Sequence, residues 1–396
     1  MTNSILPKDF LTHYWQKKPL VIRQALPGFQ SPVSADELAG LALDEQVESR
    51  LVIEHGDSPW QLKNGPFTGE DFANLPPNHW TLLVQAVDHW VPEVKALLQH
   101  VDQIPRWRLD DIMISYAPEG GSVGPHYDQY DVFLLQGQGR RRWQVGPICD
   151  DNSPCLPDTK LRILADFVAL DEYVLEPGDI LYLPPGYAHW GVALDECQTI
   201  SIGFRAPSHA DVVAEFGQFV SEQLPDSLRY SDPNLEPAAN PGLIGTDAIA
   251  RTREIMQSLL TDENLGRWLG RYMTEPKYLD QAPATLCMDF PAIRQAVKQG
   301  LPLVTALASR FAYIPGWLFV DSREYAISDE LTAFAQHLAS GFDELDADFL
   351  LQEAREKPQA LQILVDLVNQ GALQLLEDEL DDDYEKDEQD DQEDEL

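Results

Sequence analysis

Between Trp107 and Phe204 the chain is a succession of short alternating segments, each cut by Gly or Pro. The pieces Ile112–Ala117, Asp131–Gln136, Arg142–Val145, Asp179–Leu183 and Thr199–Phe204 recur with turn residues between them. Short strands at regular spacing predict a β-sandwich or a β-barrel, because a sheet hides its unpaired edges by closing or stacking.

The flanks carry a different rhythm. Phe10–Trp15 has apolar residues at helical spacing, and Pro19–Ile22 follows as a short strand. Asp36–Ala42 predicts a helix, Trp80–Gln85 a strand and Pro92–Val101 a helix. After Pro207 helices take over. Val212, Val213, Phe216, Phe219 and Val220 make one stripe, and further stripes run through Ile249, Met256, Leu259 and Leu260, then Trp268, Leu269, Tyr272 and Met273. The Pro- and Asn-rich stretch Ser231–Pro241 links two of these helices, and such a block with no site of its own commonly packs on a partner subunit. The last part gives a helix at Pro291–Gln299, then strands at Phe311–Ile314, Trp317–Val320 and Tyr325–Ile327. Helices at Asp329–Leu338 and Pro358–Asn369 complete the order of a winged helix.

Charge narrows the partners. The formal net charge is −38, and residues 377–396 hold 14 acids and one lysine, a low-complexity tail expected to be disordered. The remaining −25 still argues against nucleic acid and favours a cationic protein substrate. Residues 286–376 have 6 Lys/Arg against 12 Asp/Glu, so their winged-helix order does not imply DNA contact. No apolar run approaches the ~20 residues of a membrane span, and the first residues show no signal-peptide pattern. The four cysteines lack C-x-x-C spacing and are expected to be reduced thiols of a cytoplasmic protein.

The chemistry concentrates in Gly124-Pro125-His126-Tyr127-Asp128 and in Pro177 to His189. On an alternating strand His126 and Asp128 share one face. His189 follows a Pro-Gly-Asp turn, a strand and a Pro-Pro-Gly turn, which put it at the start of another strand. Two imidazoles and one carboxylate form a facial triad that suits Fe(II), whereas zinc favours tetrahedral sites with three or four protein ligands. The open positions suit a bidentate 2-oxo acid and O2. 2-Oxoglutarate would further need a cation for its distal carboxylate, a task for arginine. Gly139-Arg140-Arg141-Arg142-Trp143 supplies candidates, with Arg141 on one face and Arg140 and Arg142 on the other.

Taken together, these residues resemble the JmjC-type Fe(II)/2-oxoglutarate oxygenases, and more narrowly the bacterial ribosomal oxygenases. Besides the run from Gly124 to Trp143, the match includes Tyr14-Trp15-Gln16-Lys17-Lys18-Pro19-Leu20-Val21-Ile22-Arg23, Ser49-Arg50-Leu51-Val52 and Trp80 to Val87. It continues through Leu109 to Ser115 and Ser201-Ile202-Gly203-Phe204-Arg205-Ala206-Pro207. The resemblance implies an α+β chain built on a double-stranded β-helix (cupin/JmjC) barrel. The expected parts are an N-terminal extension of the catalytic domain (1–94), the barrel (95–207), a helical dimerisation region (208–285), a winged-helix-like domain (286–376) and the acidic tail (377–396).

It further implies that His126, Asp128 and His189 hold the iron, and that Arg141 and Ser115 hold the distal carboxylate of 2-oxoglutarate. The implied reaction hydroxylates an arginine, at its β-carbon, in the sixteenth protein of the large ribosomal subunit, with release of succinate and CO2. Asp110, Asp111, Tyr130 and Asp131 are candidates for receiving the guanidinium, and a homodimer is expected. The alternatives are a JmjC-type demethylase, a hydroxylase of another residue, or a cupin scaffold that binds metal without catalysis.

Overall fold

The alternating segments of the central region pair into two antiparallel sheets. This computed structural model describes residues 4–55, 58–157, 159–237, 240–278, 287–340 and 345–376, so the acidic tail lies outside it. The larger sheet has the order β1 (Leu20–Ile22), β9 (Ile180–Leu183), β6 (Val132–Gln138), β11 (Cys197–Phe204), β5 (Leu109–Ala117), β4 (Trp80–Val84), β2 (Ser49–His55) and β3 (Ser58–Asn64). The smaller has the order β10 (Tyr187–Ala193), β7 (Arg141–Ile148) and β8 (Asp171–Leu175). Side chains from both, among them Val132, Leu134, Leu181, Trp143, Val145 and Leu175, form one buried cluster. Two facing sheets that share a core are the double-stranded β-helix expected from the sequence.

The N-terminal segment is fastened to this barrel by aromatic packing. α1 (Phe10–His13) is a single turn that stops short of Trp15, and Phe10 is fully buried. Phe10 meets Phe133 and Tyr182 at centroid distances of 5.5 and 4.9 Å, and Trp15 meets Phe204 at 5.2 Å. β1 then adds to the edge of β9, with Val21 opposite Leu181. Three short helices, α2 (Ala35–Leu41), α3 (Gly69–Ala73) and α4 (Pro92–Lys95), fill the connections. The helix read over Pro92–Val101 is α-helical only to Lys95 and continues as a 3-10 helix.

The described chain divides into two compact units, one within residues 1–281 and 307–326, the other within 282–306 and 327–396. The first unit also contains α5 (His209–Ser221), α6 (Thr246–Leu259) and α7 (Asp262–Met273), followed by the hairpin strands β13 (Phe311–Ile314), β14 (Trp317–Val320) and β15 (Arg323–Ala326). α5 starts on a capping box in which Ser208 and Asp211 exchange hydrogen bonds. Its buried stripe is Phe216, Phe219 and Val220, packed on Trp268 of α7. Val213, included in that stripe from its sequence, instead faces solvent at 74% exposure. The second unit holds α8 (Phe290–Lys298), α9 (Thr332–Ser340), α10 (Ala347–Glu356) and α11 (Pro358–Asn369), with β12 (Leu303–Thr305) pairing β16 (Leu373–Leu375). Its core includes Ile293, Phe334, Leu350, Leu364 and Leu367.

Candidate metal and substrate site

A cavity of about 480 Å3 opens in the barrel, and all three triad residues line it. Their ligand atoms lie within 4.8 Å of one another. His189 is on β10, as its turns suggest. His126 and Asp128 are on no strand, contrary to expectation: the strand after them begins only at Val132. His126 instead makes an isolated bridge to His189, with N–H groups donating both ways at 3.0 and 2.8 Å. His126 and Asp128 nonetheless bring their ligand atoms within 4.8 Å of each other, while the hydroxyl of Tyr127 donates to the carbonyl of Asp150 at 2.8 Å. Gly124, at φ +80°, turns the chain into this segment, and a Cβ there would press on Ile163 at 3.0 Å.

The two imidazoles are oriented for coordination. Nδ1 of His126 contacts the carbonyl of Gly124 at 2.9 Å, and Nδ1 of His189 contacts the carbonyl of Tyr187 at 2.9 Å. A carbonyl can only accept, so each ring carries its hydrogen on Nδ1 and leaves the Nε2 lone pair free. Burial and the neighbouring His126 push His189 down to about 4, which keeps it neutral at physiological pH. Nε2 of His189 lies 3.6 Å from Asp128 Oδ2. Two imidazole nitrogens and one carboxylate on one side of a cavity are a donor set that fits Fe(II).

Deeper in the wall, β7 alternates as its sequence indicates. Arg140 pairs outside with Asp195 at 2.9 Å, while Arg141 turns inward and is 3% exposed. Its Nε and one terminal nitrogen have no hydrogen-bond partner, and its guanidinium lies 5.7 Å from the Trp143 ring centroid. A buried cation with idle donors fits a small dianionic ligand such as 2-oxoglutarate. Ser115 of β5 also lines the cavity, its hydroxyl donating to the carbonyl of Thr199 at 3.4 Å.

The four candidates for a guanidinium part ways. Asp110, Asp111 and Tyr130 line the cavity. Asp131 does not: it is fully buried and accepts from Tyr182 Oη at 2.6 Å and Gln16 Nε2 at 2.9 Å. It ties the N-terminal segment to the barrel through Gln16 and through Tyr182, a member of the aromatic cluster. Asp110 is met by Arg205 Nε at 3.1 Å and Lys277 Nζ at 2.9 Å. Burial alone would raise its pKa, but Lys277 and Arg310 hold it down at about 2. Asp111 accepts from Gln85 Nε2 at 2.6 Å and from the Ala86 N–H at 3.0 Å. Tyr130 stands beside Asp128, whose charge raises the pKa of the hydroxyl. Lys277 and Gln85 escaped the sequence reading; Lys277 lies 167 positions from Asp110, and nothing local marks it.

Comparison with known proteins agrees with this geometry. Residues 96–212 match the model of the JmjC domain, and residues 250–374 that of the ROXA-like winged helix. The chain is 38% identical over 370 residues to the ribosomal protein uL16 3-hydroxylase of Escherichia coli, spanning 92% of this chain and 96% of that protein. The X-ray structure of E. coli YcfD superposes with a TM-score of 0.86 at 37% identity, covering 94% of this chain and 98% of the other. A structure of YcfD, described as a ribosomal oxygenase, in complex with cobalt and 2-oxoglutarate superposes with a TM-score of 0.82 at 38% identity, covering 92% and 97%.

Proposed function

The chain belongs to the JmjC-type ribosomal oxygenases, which are Fe(II)- and 2-oxoglutarate-dependent dioxygenases, and on that premise we propose that it hydroxylates an arginine β-carbon of the ribosomal protein uL16. The observation that carries the reading is Arg141, buried and short of partners, in the same cavity as His126, Asp128 and His189. When bound, iron and 2-oxoglutarate supply the oxidising chemistry: the keto acid is decarboxylated to succinate and CO2, and one oxygen atom of O2 enters a C–H bond.

The residues of the chain do the placing. His126 and His189 offer Nε2 and Asp128 a carboxylate oxygen, while the Gly124 and Tyr187 carbonyls fix the ring orientations. Arg141, with Ser115, holds the distal carboxylate of the co-substrate. Val132, Leu134 and Trp143 keep water from that end of the cavity. Asp110, Asp111 and Tyr130 receive the guanidinium of the substrate at the other end. The net charge of −38 supports a basic protein as the partner and speaks against direct contact with nucleic acid.

The reading extends to assembly and location. α6 has no buried residue, and Ile249, Ile255 and Met256 are 51%, 46% and 58% exposed. That apolar face supports a homodimer formed through the helical region at 208–285. No described helix is long and apolar enough to cross a membrane. A ribosomal substrate favours a cytoplasmic location. The same reading divides the chain into 1–94, 95–207, 208–285, 286–376 and 377–396, although the hairpin at 307–326 groups with the first compact unit.

Mass spectrometry of uL16 from cells with and without this gene tests the substrate. One peptide should be heavier by one oxygen atom only when the gene is present, and an unchanged mass would remove uL16 from the proposal.

A further inference from the structure

The ammonium of Lys277 lies 2.9 Å from Asp110 Oδ2 and 2.9 Å from Asp111 Oδ2, inside the cavity that contains the triad. Both carboxylates are held without it. Asp110 keeps Arg205 at 3.1 Å and Arg310 at 3.3 Å, and Asp111 keeps Gln85 and the Ala86 N–H. The two arginines are themselves anchored. Arg205 donates to the carbonyls of Tyr272, Met273 and Glu275, and Arg310 to those of Leu109 and Asp110. Among the described residues, Lys277 has only the two carboxylates as ion-pair partners. It is the one cation of the three that can leave without breaking backbone contacts.

We propose that Lys277 is a built-in competitor for the cationic side chain of the substrate, a tethered ammonium that fills the Asp110–Asp111 subsite until a guanidinium displaces it. The inference rests on the arginine reading above and adds how that site discriminates. An ammonium is a compact charge on a flexible four-carbon stem, whereas a guanidinium is a planar fork that can engage carboxylates with two parallel bonds. A tethered ligand acts at an effective concentration on the order of millimolar, so it sets a threshold that an entering cation must exceed. A lysine side chain offers no more than Lys277 already provides and is turned away. With Lys277 in place the cavity wall carries as many cationic side chains as carboxylates; its withdrawal leaves one negative charge in excess, the sign that suits an arginine.

The test is binding of three labelled uL16 peptides to the full-length protein by fluorescence anisotropy: the arginine peptide, its lysine analogue and its citrulline analogue. Lys277→Met should bind the arginine peptide roughly 5- to 20-fold more tightly. The lysine peptide should gain at least as much, and the citrulline peptide should not change. Lys277→Arg, which restores a tethered cation, should return to the weak binding of the unaltered chain. Lys277→Gln provides a second neutral variant should the methionine variant melt early. Unchanged or weaker arginine-peptide binding by both neutral variants would overturn the proposal, and so would an equal loss for all three peptides, the mark of a merely structural lysine. Should uL16 prove unmodified in cells, tighter binding of cationic peptides by Lys277→Met would still uphold the competitor, so the two failures are distinct.

Discussion

The two ends of the cavity treat buried charge in opposite ways. At the proposed co-substrate end, Arg141 is sequestered with idle nitrogens, its guanidinium 5.7 Å from the ring centroid of Trp143. At the substrate end, Asp110 and Asp111 have more donors than they need, drawn from Arg205, Arg310, Lys277 and Gln85. An uncompensated buried charge costs several kcal/mol. The fold therefore leaves a cation at one end for a dianion to satisfy, and supplies the carboxylates at the other with cations of its own. On the roles proposed above, co-substrate binding is an addition and substrate binding an exchange. The first should be tight and stabilising, the second weaker and quickly reversible.

Substitutions can break this contrast, and the largest effect lies where the two ends meet. His126→Ala or Asp128→Ala should abolish succinate formation from 2-oxoglutarate, read by mass spectrometry of the products. Retained turnover would mean that the triad is not the metal site. Next comes Arg141→Met. Losing a charge-assisted pair worth about 3 kcal/mol should raise the 2-oxoglutarate requirement on the order of 100-fold. The same variant should melt at a higher temperature than the parent chain when both are free of ligand, because the idle cation is gone. A lower melting point would show that Arg141 is paired in solution.

Asp110→Asn acts on the opposite end and should reverse the pattern. Arg205 and Arg310 lose a charged partner, so stability should fall by about 1–3 kcal/mol in a urea titration. The 2-oxoglutarate requirement should stay within about twofold, since Asp110 stands with Lys277 and the arginines and not with Arg141. A large shift in that requirement would join the two ends into one site. The smallest effect is expected of Ser115→Ala. A hydroxyl-to-carboxylate hydrogen bond, offset by the bond to the Thr199 carbonyl that it replaces, leaves about 1 kcal/mol, or roughly a fivefold rise in the 2-oxoglutarate KM, with kcat unaltered.

How far the sequence reveals this arrangement depends on the range over which each feature is encoded. The triad is legible because His126 and Asp128 are two positions apart and His189 is framed by its own turns. Arg141 is legible through alternation, since a strand must send Arg140 and Arg142 the other way. The strand assigned to His126 is absent because a single reciprocal bridge to His189 does the work of a ladder. Asp131 is indistinguishable in sequence from its cavity-lining neighbours, whereas its own carboxylate is claimed by Tyr182 and Gln16. Val213 misled because a five-residue apolar cluster is wider than the face that α5 buries. Lys277 could not be found at all: an ion pair spanning 167 positions leaves no local pattern.

The paired backbone bonds between His126 and His189 have a consequence for assembly. Two of the three proposed ligands are one mechanical unit, joined by N–H groups donating in both directions between neighbouring backbone segments. A chain in which this bridge has not closed cannot present them together, so the proposed metal site comes into being only with the closed bridge. By mass action, whatever binds there draws the population toward closure. Iron is then a clasp as well as a reagent, and starvation for it would loosen the protein as well as idle the enzyme.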